Sequence, residues 1–265
     1  MSVFAIAMVK DEADVIEETV GHMLGQVDHL IVADNSSTDG TREILEGLGV
    51  EVVDDLEAGY YQSQKMTALA AKARRRGADW IIPFDADEVH LPLEGSIREV
   101  FDALPDDVLI SEAPLFDHVS TGDDPPGPPV KRMGFRRAEA APLRKIAVRA
   151  VEGVVIDQGN HSASIPGERH PKTVTNAIEV RHFPYRSVEQ FVRKIRNGAA
   201  AYAATDLPEE VGGHWRQYGE ILEGRGEEGI AEIFHRWFYR DDPTKEIVIG
   251  SERQPPLVFD PCLAS

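Results

Sequence analysis

Apolar and polar positions alternate in two registers along the N-terminal part of the chain. Short apolar runs lie at Val3–Val9, His29–Ala33, Val50–Val53 and Trp80–Phe84. Each reads as a buried strand of a few residues. Between them the apolar positions recur every three or four residues, the spacing of a helix with one buried face. Asp11–Leu24 carries Val15, Ile16, Val20, Met23 and Leu24 in this pattern, with Asp11 as its expected N-cap. Thr41–Leu48 is a short helix, and Tyr61–Arg76 a longer one with Met66, Leu69, Ala70 and Ala73 on one side. Strand and helix in alternation predict an α/β fold with parallel strands joined by right-handed crossovers.

Beyond the fourth strand the pattern loosens. Ser96–Leu104 reads as a helix and Val108–Pro114 as a strand. Asp117–Pro129, with two Pro-Pro pairs, is a loop. Val151–Ile156 is strand-like and the following residues to His161 turn out of it. Three helices are expected at Ser187–Ala204, Glu209–Glu223 and Gly229–Tyr239, and then a Pro-rich tail that wraps the surface. There is no internal repeat and no low-complexity linker. The expected division is a main α/β region, 1–186, with a helical C-terminal extension of the same domain, 187–265. That extension offers a surface for covering a site or for a homodimer contact.

Composition narrows the classes of function. The 265 residues carry 28 Lys plus Arg against 46 Asp plus Glu, a formal charge of −18. So acidic a chain lacks the basic footprint of a nucleic-acid binder and is not drawn to anionic membranes by charge. Lys131–Arg149 reverses the local sign with seven basic residues. It reads as a solvated face or as a contact for a phosphate or anionic acceptor. The single cysteine, Cys262, allows no intramolecular disulfide. No stretch reaches the ~20 apolar residues of a membrane helix, and no basic leader precedes the first strand. A cytoplasmic protein without a transmembrane segment is the expectation.

The candidate chemistry lies where the fourth strand ends, at Asp85-Ala86-Asp87-Glu88. Crowded carboxylates repel one another unless a cation sits among them. Oxygen ligands of this kind suit Mg²⁺ or Mn²⁺. The simpler reading is an acidic turn that caps a following helix. In parallel sheets ligands collect beyond the carboxyl ends of the strands. Asp34, which closes the second strand, is therefore expected in the same crevice as Asp85 and Asp87. Asp39 reads mainly as a cap of the short helix after it, and Lys65 as a contact for a diphosphate.

Three motifs in order carry a family resemblance: Met8-Val9-Lys10-Asp11-Glu12, then Val32-Ala33-Asp34-Asn35-Ser36-Ser37-Thr38-Asp39-Gly40-Thr41, then Asp85-Ala86-Asp87-Glu88. Together they resemble the family 2 glycosyltransferases of the GT-A fold. His182-Phe183-Pro184-Tyr185-Arg186-Ser187, followed by Phe191 and Lys194, resembles a bacterial subgroup with an Asp-Ala-Asp-Glu motif. The chain departs from the usual pattern at Asp11, where Asn is common, and at Asn35-Ser36, where Asp-Gly is common.

The resemblance implies a GT-A, Rossmann-like, mixed and mainly parallel sheet flanked by helices. It implies a nucleotide diphosphate sugar as donor, a carbohydrate or other hydroxyl-bearing acceptor, and Mn²⁺ or Mg²⁺ as cofactor. On this reading Asp87 contacts the ion directly. Asp85 serves the ion or the ribose, and Glu88 binds the ion or orients the acceptor. Glu12 and Asp34 meet the nucleotide. A late histidine, His161 or His182, is a further metal ligand. Inverting transfer needs a carboxylate base downstream of the motif, for which Asp157, Asp117 and Glu112 are the candidates. Three other classes fit less well. A sugar-phosphate nucleotidyltransferase needs a Gly-rich loop after the first strand. An aspartyl phosphohydrolase needs its acidic motif near the N-terminus. A sugar-nucleotide-binding protein without transfer has no need of the intact carboxylates.

Overall fold

The computed structural model describes residues 1–175 and 177–263. It divides into two compact units. The first comprises 1–56, 61–116 and 140–182; the second comprises 57–60, 117–139 and 183–265.

The first unit begins with β1 (Val3–Val9), α1 (Ile16–Leu24), β2 (His29–Asp34), α2 (Thr41–Gly47), β3 (Glu51–Asp54), α3 (Gln62–Arg75) and β4 (Trp80–Pro83). These follow the apolar pattern closely. β5 (Glu88–Pro92), α4 (Ile97–Asp102), β6 (Ile110–Ala113) and β7 (Leu115–Asp117) come next. The central sheet has seven strands in the order Thr173–Thr175, β6, Lys145–Arg149, β4, β1, β2, β3. β1 pairs in parallel with β2 and β4, and β2 with β3. Lys145–Arg149 runs antiparallel to both β4 and β6. A mixed, mainly parallel sheet flanked by helices is the architecture that the resemblance implied.

Period-two alternation places the core on both faces of the sheet. From β1, Val3, Ala5, Ala7 and Val9 point to one side, where they meet Ile16, Val20 and Met23 of α1, Leu45 of α2 and Phe101 of α4. Phe4 and Ile6 point to the other, against Met66, Leu69, Ala70 and Ala73 of α3. Trp80, fully buried, stacks on Phe101 with ring centroids 4.7 Å apart. α4 begins with a capping box, Ser96 accepting from the Glu99 amide and Glu99 reaching back to the Ser96 amide.

Several expectations need correction. α1 starts at Ile16, not beside Asp11, and has no side-chain cap. Asp11 is a left-handed residue (φ 53°) whose carboxylate accepts from the Thr38 amide at 2.7 Å, so it clasps a loop instead of capping a helix. The acidic motif precedes no helix: Glu88 opens β5, which runs antiparallel to Ile178–His182 with Glu88 opposite His182. The strand expected at Val151–Ile156 is confined to Val155–Ile156. The basic run beginning at Lys131 is not one solvated face, because Lys145–Arg149 forms an inner strand of the sheet.

The second unit contains helices Val188–Ala203 and Gly213–Trp237. Ser187 caps the first through the Gln190 amide. The second is interrupted at Gly226 (φ 67°, ψ −167°), so its two segments correspond to the two C-terminal helices expected, with a start later than Glu209. Phe191, Val192, Ile195, Ile230 and Phe234 form its apolar centre. Within the expected loop after Asp117, Ser120–Thr121 pairs with Tyr239–Arg240. The tail holds a hairpin, Ile247–Ile249 with Glu252–Gln254.

Candidate active site

Strand order reverses around β1: the chain runs from β1 to β2 and β3 on one side, then crosses to β4 on the other. In an open α/β sheet the crevice at such a switch point, outside the carboxyl ends of the strands, is where ligands bind. Asp11 and Glu12 follow β1, Asp34 ends β2, and Asp85-Ala86-Asp87 follows β4.

The loops after β1 and β2 are tied together by side chain to backbone bonds. The Lys10 ammonium donates to the Asn35 carbonyl at 2.7 Å. The Asp11 amide donates to Ser37 Oγ, the Glu12 amide to Thr41 Oγ1 and the Ala13 amide to Asp39 Oδ2. The Glu12 carbonyl accepts from Val15 and Ile16 and so starts α1. Asp34 is buried, accepting from the Ser37 amide at 3.2 Å and facing Arg42 at 3.4 Å. Asp39 accepts from the Thr41 amide and hydroxyl, but it stands one residue ahead of the N-cap of α2, which is Gly40 and has no side-chain cap bond, so the expected cap is displaced. Lys65 is paired with Asp55 at 2.7 Å, and Asn35 also donates to Asp55.

The acidic motif is built around an ammonium group that the sequence analysis did not assign to the site. Lys145, 2% exposed, points its Nζ at Asp85 Oδ2 (2.6 Å), Glu88 Oε1 (2.8 Å) and the Gly159 carbonyl (3.1 Å). The contacts with Asp85 and Gly159 are hydrogen bonds, and the contact with Glu88 Oε1 is an ion pair without hydrogen-bond geometry. The other Asp85 oxygen accepts from Asn160 Nδ2 at 3.0 Å and Gln62 Nε2 at 3.3 Å. Gln62 in turn accepts from the Gly159 amide at 2.8 Å. Gly159 has φ 86°, and a Cβ there would lie 2.7 Å from the His161 ring, so this position requires glycine. Glu88 is fully buried, and its Oε2 accepts from the Asp85 amide at 3.1 Å. Asp87, 2% exposed, has Oδ1 3.5 Å from His182 Nε2.

One ammonium shared by a half-buried carboxylate, Asp85, and a fully buried one, Glu88, divides their behaviour. Burial alone raises Glu88, but the Lys145 charge, with His90 beside it, outweighs burial and holds it at about 2. Asp85 is pushed up from the usual carboxylate range: burial raises it, Lys145 only partly offsets this, and Glu88 and Asp87 add to the rise. Lys145 is lowered by burial, yet Asp85 and Glu88 outweigh that and raise it. The ammonium is therefore a permanent charge of the site.

His161 sits in the turn after Gln158–Asn160, its Nδ1 2.8 Å from the Arg144 carbonyl. Burial first and Lys145 second lower its pKa and keep the ring neutral. With Nδ1–H donating to the carbonyl, Nε2 carries the lone pair. Asp157 precedes the same turn and accepts from Ser162 Oγ at 2.6 Å. Glu112 lies on β6, 3.9 Å from Arg144. Asp117 belongs to the second unit, where its carbonyl accepts from the Arg137 amide. Thus Asp85, Asp87, Glu88 and His182 are gathered by direct contacts, and Asp157 and His161 share one turn. Among the described residues, no three His, Cys, Asp or Glu side chains form a cluster able to hold an ion by themselves, so Asp85, Asp87 and His161 do not make a closed three-ligand set. No helix of the described residues is long and apolar enough to cross a membrane.

Residues 5–147 match the sequence pattern of the family described as Glycosyl transferase family 2. An uncharacterized glycosyltransferase of Rickettsia bellii is 34% identical over 98 residues, 37% of this chain and 32% of that protein. A TPR repeat-containing protein of Synechococcus elongatus is 33% identical over 81 residues, 31% of this chain and 19% of that one. The chain thus spans a third or less of the curated relatives it matches. Among solved structures, a mannosyltransferase of Pyrobaculum calidifontis in complex with GDP-Man and Mn²⁺ is 14% identical, covering 89% of this chain and 87% of that one with a TM-score of 0.41. A glucosyl-3-phosphoglycerate synthase of Mycobacterium tuberculosis in complex with Mn²⁺, UDP-glucose and phosphoglyceric acid is 17% identical over 43% of this chain and 44% of that one, with a TM-score of 0.34. The family pattern covers more than half of the chain, from the first strand of the parallel sheet to the lysine among the motif carboxylates, and the chain belongs to glycosyl transferase family 2.

Proposed function

We propose that this chain transfers a sugar from a nucleoside diphosphate sugar to an acceptor hydroxyl, with inversion at the anomeric carbon and with Mn²⁺ or Mg²⁺ as cofactor. The observation that carries this reading is the placement of Asp85-Ala86-Asp87 just past β4 and Asp34 at the end of β2, on either side of the switch point at β1. Asp34 and the Lys10–Ala13 loop suit the nucleoside, since a carboxylate accepts from ribose hydroxyls or a base N–H. The donor set suits a hard cation. Asp87 offers a carboxylate, with the His182 imidazole beside it, to an ion that takes its other ligands from a diphosphate and water. When bound, such an ion stabilises charge that builds on the departing diphosphate.

The remaining chemistry belongs to the chain. Inversion requires a base on the acceptor hydroxyl. Asp157 is the candidate favoured by position, because its turn also supplies Asn160 to Asp85. Asp117 and Glu112 are the alternatives. A nucleoside-diphosphate-sugar-binding protein without transfer would share the donor site and lack the base.

Calorimetry of nucleoside diphosphates with and without Mn²⁺ tests the donor site. Binding should tighten with the metal, and Asp87→Ala should abolish that gain while the melting temperature is kept. If no diphosphate binds more tightly with Mn²⁺, the reading fails. Release of nucleoside diphosphate from a donor panel, with simple sugars as acceptors, then separates transferase from binder. Asp157→Asn should keep donor binding and lose turnover; retained turnover moves the base to Asp117 or Glu112.

A further inference from the structure

The Asp-Ala-Asp-Glu motif contains more negative charge than one divalent ion needs. Three carboxylates lie within four residues, two of them buried. The structure already provides one cation for them, and it is not a metal. We propose that Lys145 is a positioning residue: its ammonium takes Asp85 and Glu88 out of the metal's reach and leaves Asp87 as the motif's one direct carboxylate ligand. This rests on the proposed metal-dependent donor site and goes beyond it by naming what divides the motif.

The argument is geometric. Lys145 opens the antiparallel strand between β4 and β6 and stands opposite Ala113 of β6, so a main-chain ladder fixes the base of its side chain. Its three contacts, hydrogen bonds to Asp85 Oδ2 and the Gly159 carbonyl and an ion pair with Glu88 Oε1, all lie between 2.6 and 3.1 Å. Asp85 is then held from both sides, since Gln62 of α3 and Asn160 take its other oxygen. Glu88 has no exposed surface and cannot reach an ion without giving up the ammonium. Asp87 is turned instead toward His182, on the strand paired with β5. Once Lys145 and one divalent ion are counted, the three carboxylates are balanced. Without Lys145 the same ion would leave a net negative buried site, and Asp85 would be drawn into its coordination shell.

The test uses variants that remove a neutral pair, so that no buried charge is stranded: Lys145→Met/Glu88→Gln, and the more polar Lys145→Gln/Glu88→Gln. Mn²⁺ affinity is measured by electron paramagnetic resonance, alone and with UDP or GDP, and folding by thermal melts. A purely structural lysine predicts native metal affinity in these pairs. Release of Asp85 predicts Mn²⁺ binding tighter by about tenfold or more, the scale of one added charge-assisted contact. That gain should vanish when Asp85→Asn is added to either pair. Unchanged or weaker Mn²⁺ binding in both folded pairs overturns the role of Lys145 while the donor-site reading stands. Failure of the native protein to bind Mn²⁺ under any of these conditions overturns both.

Discussion

Removing the ammonium alone has a consequence for stability that can be calculated with its pH dependence. Lys145→Met keeps the stem and its packing, so little cavity is made, but it strands Glu88. That carboxylate is fully buried and keeps only the Asp85 amide at 3.1 Å and His90 at 3.5 Å. Breaking a buried pair from one side costs about 3–5 kcal/mol. The variant can limit the loss by taking up a proton on Glu88. Burial then puts the folded-state pKa above the ordinary 4.5, whereas the unfolded chain stays ionised at pH 7. At about 1.4 kcal/mol per pH unit, holding the proton from pH 4.5 to pH 7 costs roughly 3 kcal/mol.

The sign follows from proton counts. Above pH 4.5 the folded variant binds one proton more than the unfolded one, so its stability falls as pH rises. In the native protein Glu88 titrates at about 2, and its contribution is fully present above 4.5. That native contribution is the same at pH 5 and pH 7, so the deficit of the variant should grow by about 3 kcal/mol between the two, two pH units at about 1.4 kcal/mol each. For a folded unit of this size a kilocalorie corresponds to about 2–4 °C, so the drop in melting temperature should be larger at pH 7 than at pH 5 by roughly 6–12 °C. Thermal melts followed by the fluorescence of buried Trp80 measure it. Adding Glu88→Gln should recover most of the loss. A deficit that is the same at both pH values, or below about 2 °C at pH 7, refutes the account of Glu88 as a charge kept ionised by Lys145.

Two further outcomes follow from single features. His22, His161 and His214 are all lowered by burial, so the unfolded chain takes up protons on them before the folded one does; stability should fall as pH drops below about 6.5. Urea midpoints at pH 7.5, 6.0 and 5.0 measure this, and His22→Gln/His214→Gln should flatten the slope. Ser96→Ala removes one half of the capping box of α4 and should cost about 1 kcal/mol in the same assay, without changing Mn²⁺ affinity.

The sequence made the first four parallel strands and the three helices between them legible because each carries its own signal: an apolar run, or apolar positions three and four apart. β5 carries neither. Val89-His90-Leu91 is a short mixed segment, and it becomes a strand by pairing with Ile178–His182, far along the chain. Asp11 fails for a related reason. Its residue type suits a helix cap, but its partner is Thr38, across a loop that local preference does not see. In both cases a distant partner overrides the local reading.

The same limit applies to the candidate site, with more at stake. Residue type and strand position single out Asp85, Asp87 and Asp34 as candidates, since carboxylates at strand ends are where an ion or a nucleoside finds oxygen ligands. Residue type alone does not say which carboxylate is already neutralised. The answer lies in Lys145, which local charge merges with a basic run of seven, although Arg144 before it is exposed and Lys145 is not. The distinguishing signal is weak but physical: Lys145-Ile146-Ala147-Val148 places a lysine at the head of an apolar run. A lysine in that place either lies at an edge or has carboxylates waiting for it. Here the antiparallel insertion beside β4 brings it to Asp85 and Glu88. On the proposed reading, a motif of three acids therefore divides into one buried ion pair, one shared carboxylate and one ligand. That division depends on sheet order, which four consecutive residues do not encode.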